Sequence, residues 1–208
     1  MPTSDDAGGS IDTNIPWLKP GQVEAMRDAA HEGRHGPRDD AIVTLLYDTG
    51  LRRQELEHIN RDMLDLEEEE LRVPAGIQKD YPNDNSPSGV TFALDRGGQL
   101  RTPRALRTYL NTREDGSSAL FPSQKSPRMT GKALNDVVKR VARRADIRPF
   151  TKSGRGSTDD VTAHTLRHSV AWRMLRAEEG NTLYDVRNRL RHSTILTTER
   201  KYDHFQRI

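Results

Sequence analysis

The sequence predicts a mainly α-helical domain with one small antiparallel β-sheet, an α+β fold. Apolar residues recur at helical spacing in most segments, whereas the window Leu66–Asp95 alone carries strand-like runs flanking a turn-rich loop. Hydrophobic residues are 33% of the 208 and mean hydropathy is −0.86. That implies a thin, well-solvated core, which a chain of this length can still bury.

Taken in order, residues 1–16 are rich in Ser, Asp, Gly and Pro and read as a flexible tail or linker, leaving 17–208 as a single domain. Pro20 suits a first helical turn, and Val23, Met26 and Ala30 form a stripe that HEGRHGP (31–37) ends. A second helix is expected from Arg38 to Asp48, with Ile42, Leu45 and Leu46 inward and Gly50 as its stop; Leu51 to Glu57 restarts briefly. Leu71–Val73 and Val90–Leu94 are the strands, joined through YPNDNSPSG. Thr102-Pro103 opens a helix carrying Leu106, Tyr109 and Leu110. Residues 130–145 set Leu134, Val137, Val138 and Val141 against a basic stripe of Lys139, Arg140, Arg143 and Arg144. After the loop PFTKSGRGSTDD, helices are expected at 162–176, 182–190 and from Thr194 onward.

Residues 1–100 hold ten bases and twenty acids, a charge of −10, while the remainder, with 23 bases and 11 acids, carries +12. Such a half suits a polyanion, nucleic acid first, or simply neutralises the other half; the basic stripe is open to the same two readings. No run reaches the ~18 apolar residues of a membrane helix, and the start lacks a signal peptide's apolar centre. With no cysteine, disulfides and thiolate chemistry are excluded and an intracellular, cytoplasmic address is expected.

The strongest local motif is His164-Thr165-Leu166-Arg167-His168, which helical spacing arranges with His164, Arg167 and His168 on one face. Imidazole beside guanidinium can bind a phosphate and move a proton; an amphipathic helix with satisfied polar groups is the plainer alternative. A zinc site of the metalloprotease type needs glutamate where Thr165 stands, so no metal is expected. Upstream is Thr49-Gly50-Leu51-Arg52-Arg53-Gln54-Glu55-Leu56, and downstream Leu190-Arg191-His192-Ser193, Thr197-Thr198 and Tyr202.

That ordered set resembles the catalytic domain of the tyrosine recombinases, the lambda integrase and Xer-type enzymes, over roughly residues 17–205. IQKDYPNDNSPSG further resembles integrase-like proteins of salt-loving archaea. The resemblance implies that family's DNA breaking-rejoining fold. It also implies Arg52 and Arg167 clamping the scissile phosphate, His164 as acid–base residue, His192 as a second phosphate donor, Lys79 protonating the leaving 5′ oxygen, and Tyr202 as nucleophile. Glu55 and His168 would support the site. It implies double-stranded DNA as partner, assembly as a dimer or tetramer on it, accessory proteins, no membrane and no cofactor.

The chemistry stands without the family. A phenol near pKa 10 is a weak nucleophile at neutral pH, and guanidiniums around a phosphate make its phosphorus easier to attack. A 3′-phosphotyrosine keeps the energy of the broken diester, so religation needs no cofactor.

Three departures set further expectations. Arg191 replaces the usual glycine and is expected to alter a tight turn and add charge beside the site. Tyr202 sits one residue beyond the usual spacing, about 100° around a helix, an offset that a mobile terminal segment would absorb. The first sixteen residues are too few for the N-terminal core-binding domain. Site-specific recombination is the leading reading; a type IB topoisomerase-like relaxase and a non-catalytic DNA-binding relic or regulator are the alternatives.

Overall fold

The computed structural model describes residues 15–78 and 87–205, so Lys79 and Tyr81 lie outside the described residues. Helices α1 (Pro20–His31) and α2 (Gly36–Thr49) pack together, and α2 also meets α4 (Thr102–Leu110), α5 (Gly131–Arg144) and α6 (Ala163–Trp172). Contact on so many sides explains why α2 is buried from Asp39 to Thr49, well beyond the inward stripe that periodicity suggests. Short α3 (Arg53–His58) follows, and α7 (Leu183–Leu190) and α8 (Ile195–Tyr202) complete the helical set.

Helices α5 to α8 each begin after a threonine whose hydroxyl accepts a backbone N–H of the first turn: Thr130, Thr162, Thr182 and Thr194. Each such cap contributes about 1 kcal/mol, which is how 8-residue helices such as α7 and α8 keep defined starts.

The sheet runs β1 (Leu64–Asp65), β2 (Glu70–Val73), β3 (Val90–Ala93), antiparallel throughout, with Leu71 opposite both Leu64 and Phe92. Leu71, Val73 and Phe92 face the core. Strand β1 falls in a stretch given no element above, and a second hairpin, β4 (Phe150–Thr151) with β5 (Gly154–Arg155), falls in the segment read as the loop PFTKSGRGSTDD; two-residue strands leave no periodicity to read. The helix expected over 162–176 changes at Arg173 into a π-helical turn, Arg173–Ala177.

The tail boundary moves as well. Ile15 is buried, and Trp17 exchanges two backbone hydrogen bonds with Phe150, at 2.9 and 2.8 Å. An isolated isoleucine in a polar stretch carries no pattern that sets residues 15 and 16 apart from a linker. The C-terminal segment is not the loose end expected of it: Phe205 is buried edge-on against Trp17, with ring centroids 5.0 Å apart.

The C-terminus of α2 is the point from which the site is built. Gly50 closes it at φ +66°, and a Cβ there would lie 2.5 Å from a Leu190 methyl. Both demands require glycine. Its terminal carbonyls attract guanidiniums, as the negative end of a helix dipole should. Arg173 donates to Tyr47 O at 2.9 Å, Arg189 to Asp48 O at 2.9 Å, and Arg167 to Gly50 O. Asp48 then accepts from Arg189, the Asp95 backbone and the Thr102 hydroxyl, joining α2 to α7, the end of the sheet and α4. No helix among the described residues is long and apolar enough to cross a membrane.

Candidate active site

Arg52 is the last extended residue before α3, delivered there by the left-handed turn at Gly50. Its Nη1 donates to Glu55 Oε1 at 2.8 Å and its backbone N–H to Glu55 Oε2 at 2.6 Å. Arg167, on α6, is buried and donates from its two Nη atoms to Gly50 O and Leu190 O. These bonds fix the guanidinium plane between the α2–α3 turn and the end of α7.

His164 sits on the same helix at the solvent-accessible rim, its ring edge-on to His168 with centroids 4.4 Å apart. His168 is buried, with Nδ1 2.6 Å from the Tyr202 hydroxyl. His192 follows α7 and stacks on the Tyr202 ring at 5.9 Å, its Nδ1 2.9 Å from the Thr198 hydroxyl. Arg52, Glu55, His164, Arg167, His168, His192 and Tyr202 are thus brought together from α3, α6, α7 and α8.

The electrostatics favour an anion. Burial, then the Arg167 charge, then that of Lys201, hold His164 down to about 4 and His192 down to about 2. His168 is also held well below its usual value, by burial first and then by His164. Burial and the neighbouring Arg52 charge pull Arg167 down to about 9. The charged forms of the three histidines and of Arg167 are disfavoured by their surroundings, a condition that an arriving phosphodiester would relieve. Although His164 keeps a solvent-facing side, the protein packed around its ring and the adjacent cations account for the depressed value.

Two expectations are corrected. Arg191 keeps the tight turn after α7, at φ +53° and ψ +52°; its Nη2 donates to Glu55 Oε2 at 2.7 Å, a carboxylate it shares with Arg52, and its charge still bears on Arg167. Tyr202 is on no loose segment. It is fully buried, stacked on Phe205 as well as His192, because the aromatic residues after α8 dock against Trp17. Burial pushes the phenol upward and the Arg167 and Arg52 charges pull it back only in part.

The basic stripe on α5 is largely engaged within the protein. Arg140 pairs with Asp39 at 2.7 Å, Arg143 with Asp159 at 2.5 Å, and Arg144 donates to Ala29 O at 3.1 Å. Lys139 lies on the same helix, half-buried. Sequence reasoning missed Lys201 as a source of charge on all three site histidines, and Gln78 and Phe92 as partners of Arg191. For Lys201 the clue was available: it occupies the position at which the usual spacing would put the tyrosine. For Gln78 and Phe92 nothing local marks them.

Comparison with known proteins agrees with this arrangement. Tyrosine recombinase XerC of Bifidobacterium longum is 30% identical over 208 residues, covering 95% of this chain and 53% of that protein. Tyrosine recombinase XerD of Pseudomonas putida is 33% identical over 183 residues, covering 88% of this chain and 55% of its own. The chain therefore spans about half the length of the curated relatives it matches. In fold it is similar to the XerA recombinase crystal structure, with TM-score 0.69 and 22% identity over 92% of this chain and 60% of that one. The Tn1549 transposon integrase in complex with transposon right end DNA has TM-score 0.69 and 18% identity, over 96% and 63%. The model of the phage integrase family matches residues 16–207, nearly everything from the buried Ile15 onward, and the chain belongs to that family.

Proposed function

We propose that the chain is the catalytic part of a site-specific DNA recombinase that cleaves and rejoins double-stranded DNA through a 3′-phosphotyrosine on Tyr202. The observation that carries this reading is the convergence of Arg52, Arg167, His164 and His192 around one phenol, at a point where the only described carboxylate bound to Arg52 is Glu55. Arg52 and Arg167 would bind the non-bridging oxygens, and strengthen that grip as charge builds in the transition state. The Thr198 hydroxyl on His192 Nδ1 would leave Nε2–H to donate to the phosphate.

In the step itself the Tyr202 oxygen bonds to phosphorus and the bond to the 5′ oxygen breaks. His164 holds the phenol's proton, and the leaving oxygen takes one from Lys79. The reverse step restores the diester, so the reaction as written uses side chains alone. DNA, held as a dimer or tetramer of recombinase with any accessory proteins, is the partner in this reading. Exposed arms of Arg140 and Arg143, with Lys139 and Arg144, would add backbone contacts by exchanging their present partners for phosphate.

One observation favours a second reading, a non-catalytic DNA-binding module: the phenol is sealed in the core on His168. Nicked suicide duplexes separate the two. A covalent adduct on denaturing gels, mapped to the Tyr202 peptide and lost in Tyr202→Phe, is expected. DNA binding with no adduct on any such duplex would establish the module instead.

A further inference from the structure

Residue 191 has two properties that a turn alone does not explain. Its φ of +53° lies in the left-handed region, where glycine is at ease and arginine is strained. The turn's own bonds, Arg191 N–H to Asn188 O and His192 N–H to Arg187 O, use only backbone and would form equally with glycine. The side chain is nevertheless buried, its guanidinium over the Phe92 ring at 5.0 Å. Whatever offsets the strain lies in what that guanidinium holds.

It holds Glu55. A carboxylate offers about four acceptor positions, and those of Glu55 are filled in two pairs. Oε2 accepts the Arg52 backbone N–H at 2.6 Å and Arg191 Nη2 at 2.7 Å. Oε1 accepts Arg52 Nη1 at 2.8 Å and Arg191 Nη1 at 3.1 Å. The Arg191 carbonyl also accepts Arg52 Nη2 at 3.2 Å, so residue 191 grips Arg52 twice, once directly and once through Glu55. Arg191 Nη1 further reaches Gln78 Oε1 at 3.2 Å, and Gln78 donates to Val73 O and Ser88 O at 3.2 and 2.8 Å. One buried guanidinium thus ties the α2–α3 turn, the sheet and the turn that carries His192.

We propose that Arg191 is a positioning residue, which saturates Glu55 and thereby holds the Arg52 guanidinium open toward the scissile phosphate. The proposal rests on the recombinase reading. Without Arg191 two Glu55 acceptor positions are vacated, and Arg52 turns its fork onto the carboxylate and away from the diester. Arg191 faces Glu55 and Gln78, so it acts through Arg52 and not on the phosphate itself.

The test measures single-turnover cleavage of nicked duplex, DNA affinity and melting temperature for the wild type, Arg191→Gly, Arg191→Lys, Glu55→Gln and the Arg191→Gly/Glu55→Gln pair. Arg191→Gly should cleave about ten- to a hundredfold more slowly, with affinity changed by less than about threefold. In the pair, loss of Arg191 should add little to the loss of Glu55. Wild-type cleavage by Arg191→Gly, or losses that multiply in the pair, would overturn the proposal. If Arg191→Gly melts early, Arg191→Lys decides: its point charge cannot fork a carboxylate, so slowed cleavage supports positioning and an unchanged rate refutes it. If the wild type itself forms no adduct, the recombinase reading fails separately. Arginine side-chain nitrogen NMR then judges Arg191 alone, since Arg52 should hold Glu55 through one Nη in the wild type and through both in Arg191→Gly, and an unchanged hydrogen-bond pattern would refute the lock.

Discussion

The hydroxyl of Tyr202 lies 2.6 Å from Nδ1 of His168, and both side chains are buried. The proposed nucleophile thus rests on a neutral imidazole, held there by Phe205 docked on Trp17. Tyr202→Phe leaves that imidazole nitrogen without its partner and should destabilise the domain by about 1–3 kcal/mol in urea unfolding. Phe205→Ala should loosen the segment, so that Tyr202 becomes reactive to nitration while the other buried tyrosines, Tyr47 and Tyr109, stay protected. Unchanged protection of Tyr202 would mean that α8 keeps the phenol in place without Phe205.

The two arginines of the clamp should separate when mutated. Arg52→Ala leaves Glu55 paired with Arg191, so stability should change little while cleavage is abolished. Arg167→Ala removes the donor to Gly50 O and Leu190 O in the core, so it should also cost about 2–4 kcal/mol of stability. Urea midpoints measured beside adduct yields distinguish the two; equal destabilisation would remove the structural role given to Arg167.

Acid should unfold the protein earlier than its carboxylates alone would. His192 is held down to about 2 and His164 to about 4, by burial first and the Arg167 charge next, from an ordinary 6.5. A histidine with a lowered folded pKa takes up its proton more readily in the unfolded chain, so stability is full above pH 6.5 and declines below it. Burial raises the Glu55 carboxyl, but the Arg191 charge and fork with the Arg52 backbone bond more than offset it, leaving it lowered. Its contribution is present above its unfolded value and disappears as pH falls through the folded one, the same direction. His192→Gln should flatten the decline below about pH 6.5 in urea titrations. A decline as steep as in the wild type would place the responsible proton elsewhere.

The α5 stripe should contribute fewer phosphate contacts than its four charges suggest, because Arg140 and Arg143 must first leave Asp39 and Asp159. Replacing all four by glutamine should reduce the magnitude of the salt slope of DNA binding by about 0.9 for each contact actually made, hence by well under about 3.6. An unchanged slope would make the stripe a plain solvated face. A reduction near the full figure would mean that both ion pairs open on DNA.

Much of this molecule is legible from residues taken a few at a time. Helical periodicity locates the helices, threonines mark the starts of the last four, and Gly50 marks the end of α2, because each depends on neighbours within about one turn. The short strands β1, β4 and β5 are not legible, since two residues carry no alternation. Helical spacing also puts His164 and Arg167 on one face, while it is the resemblance to the tyrosine recombinases that adds Arg52, Glu55 and His192 to them.

What the tertiary structure alone decided is which partner each charged or polar group takes. Arg191 neutralises a carboxylate 136 positions away, Arg140 one 101 positions away, and Tyr202 meets an imidazole 34 positions back. Local pattern fixes which face of a helix a side chain leaves from. Where that face lands, and whether a guanidinium there meets carboxylate, carbonyl or open solvent, depends on how distant elements pack, which is why Arg191 reads as an intrusion in the sequence and as a clasp in the fold.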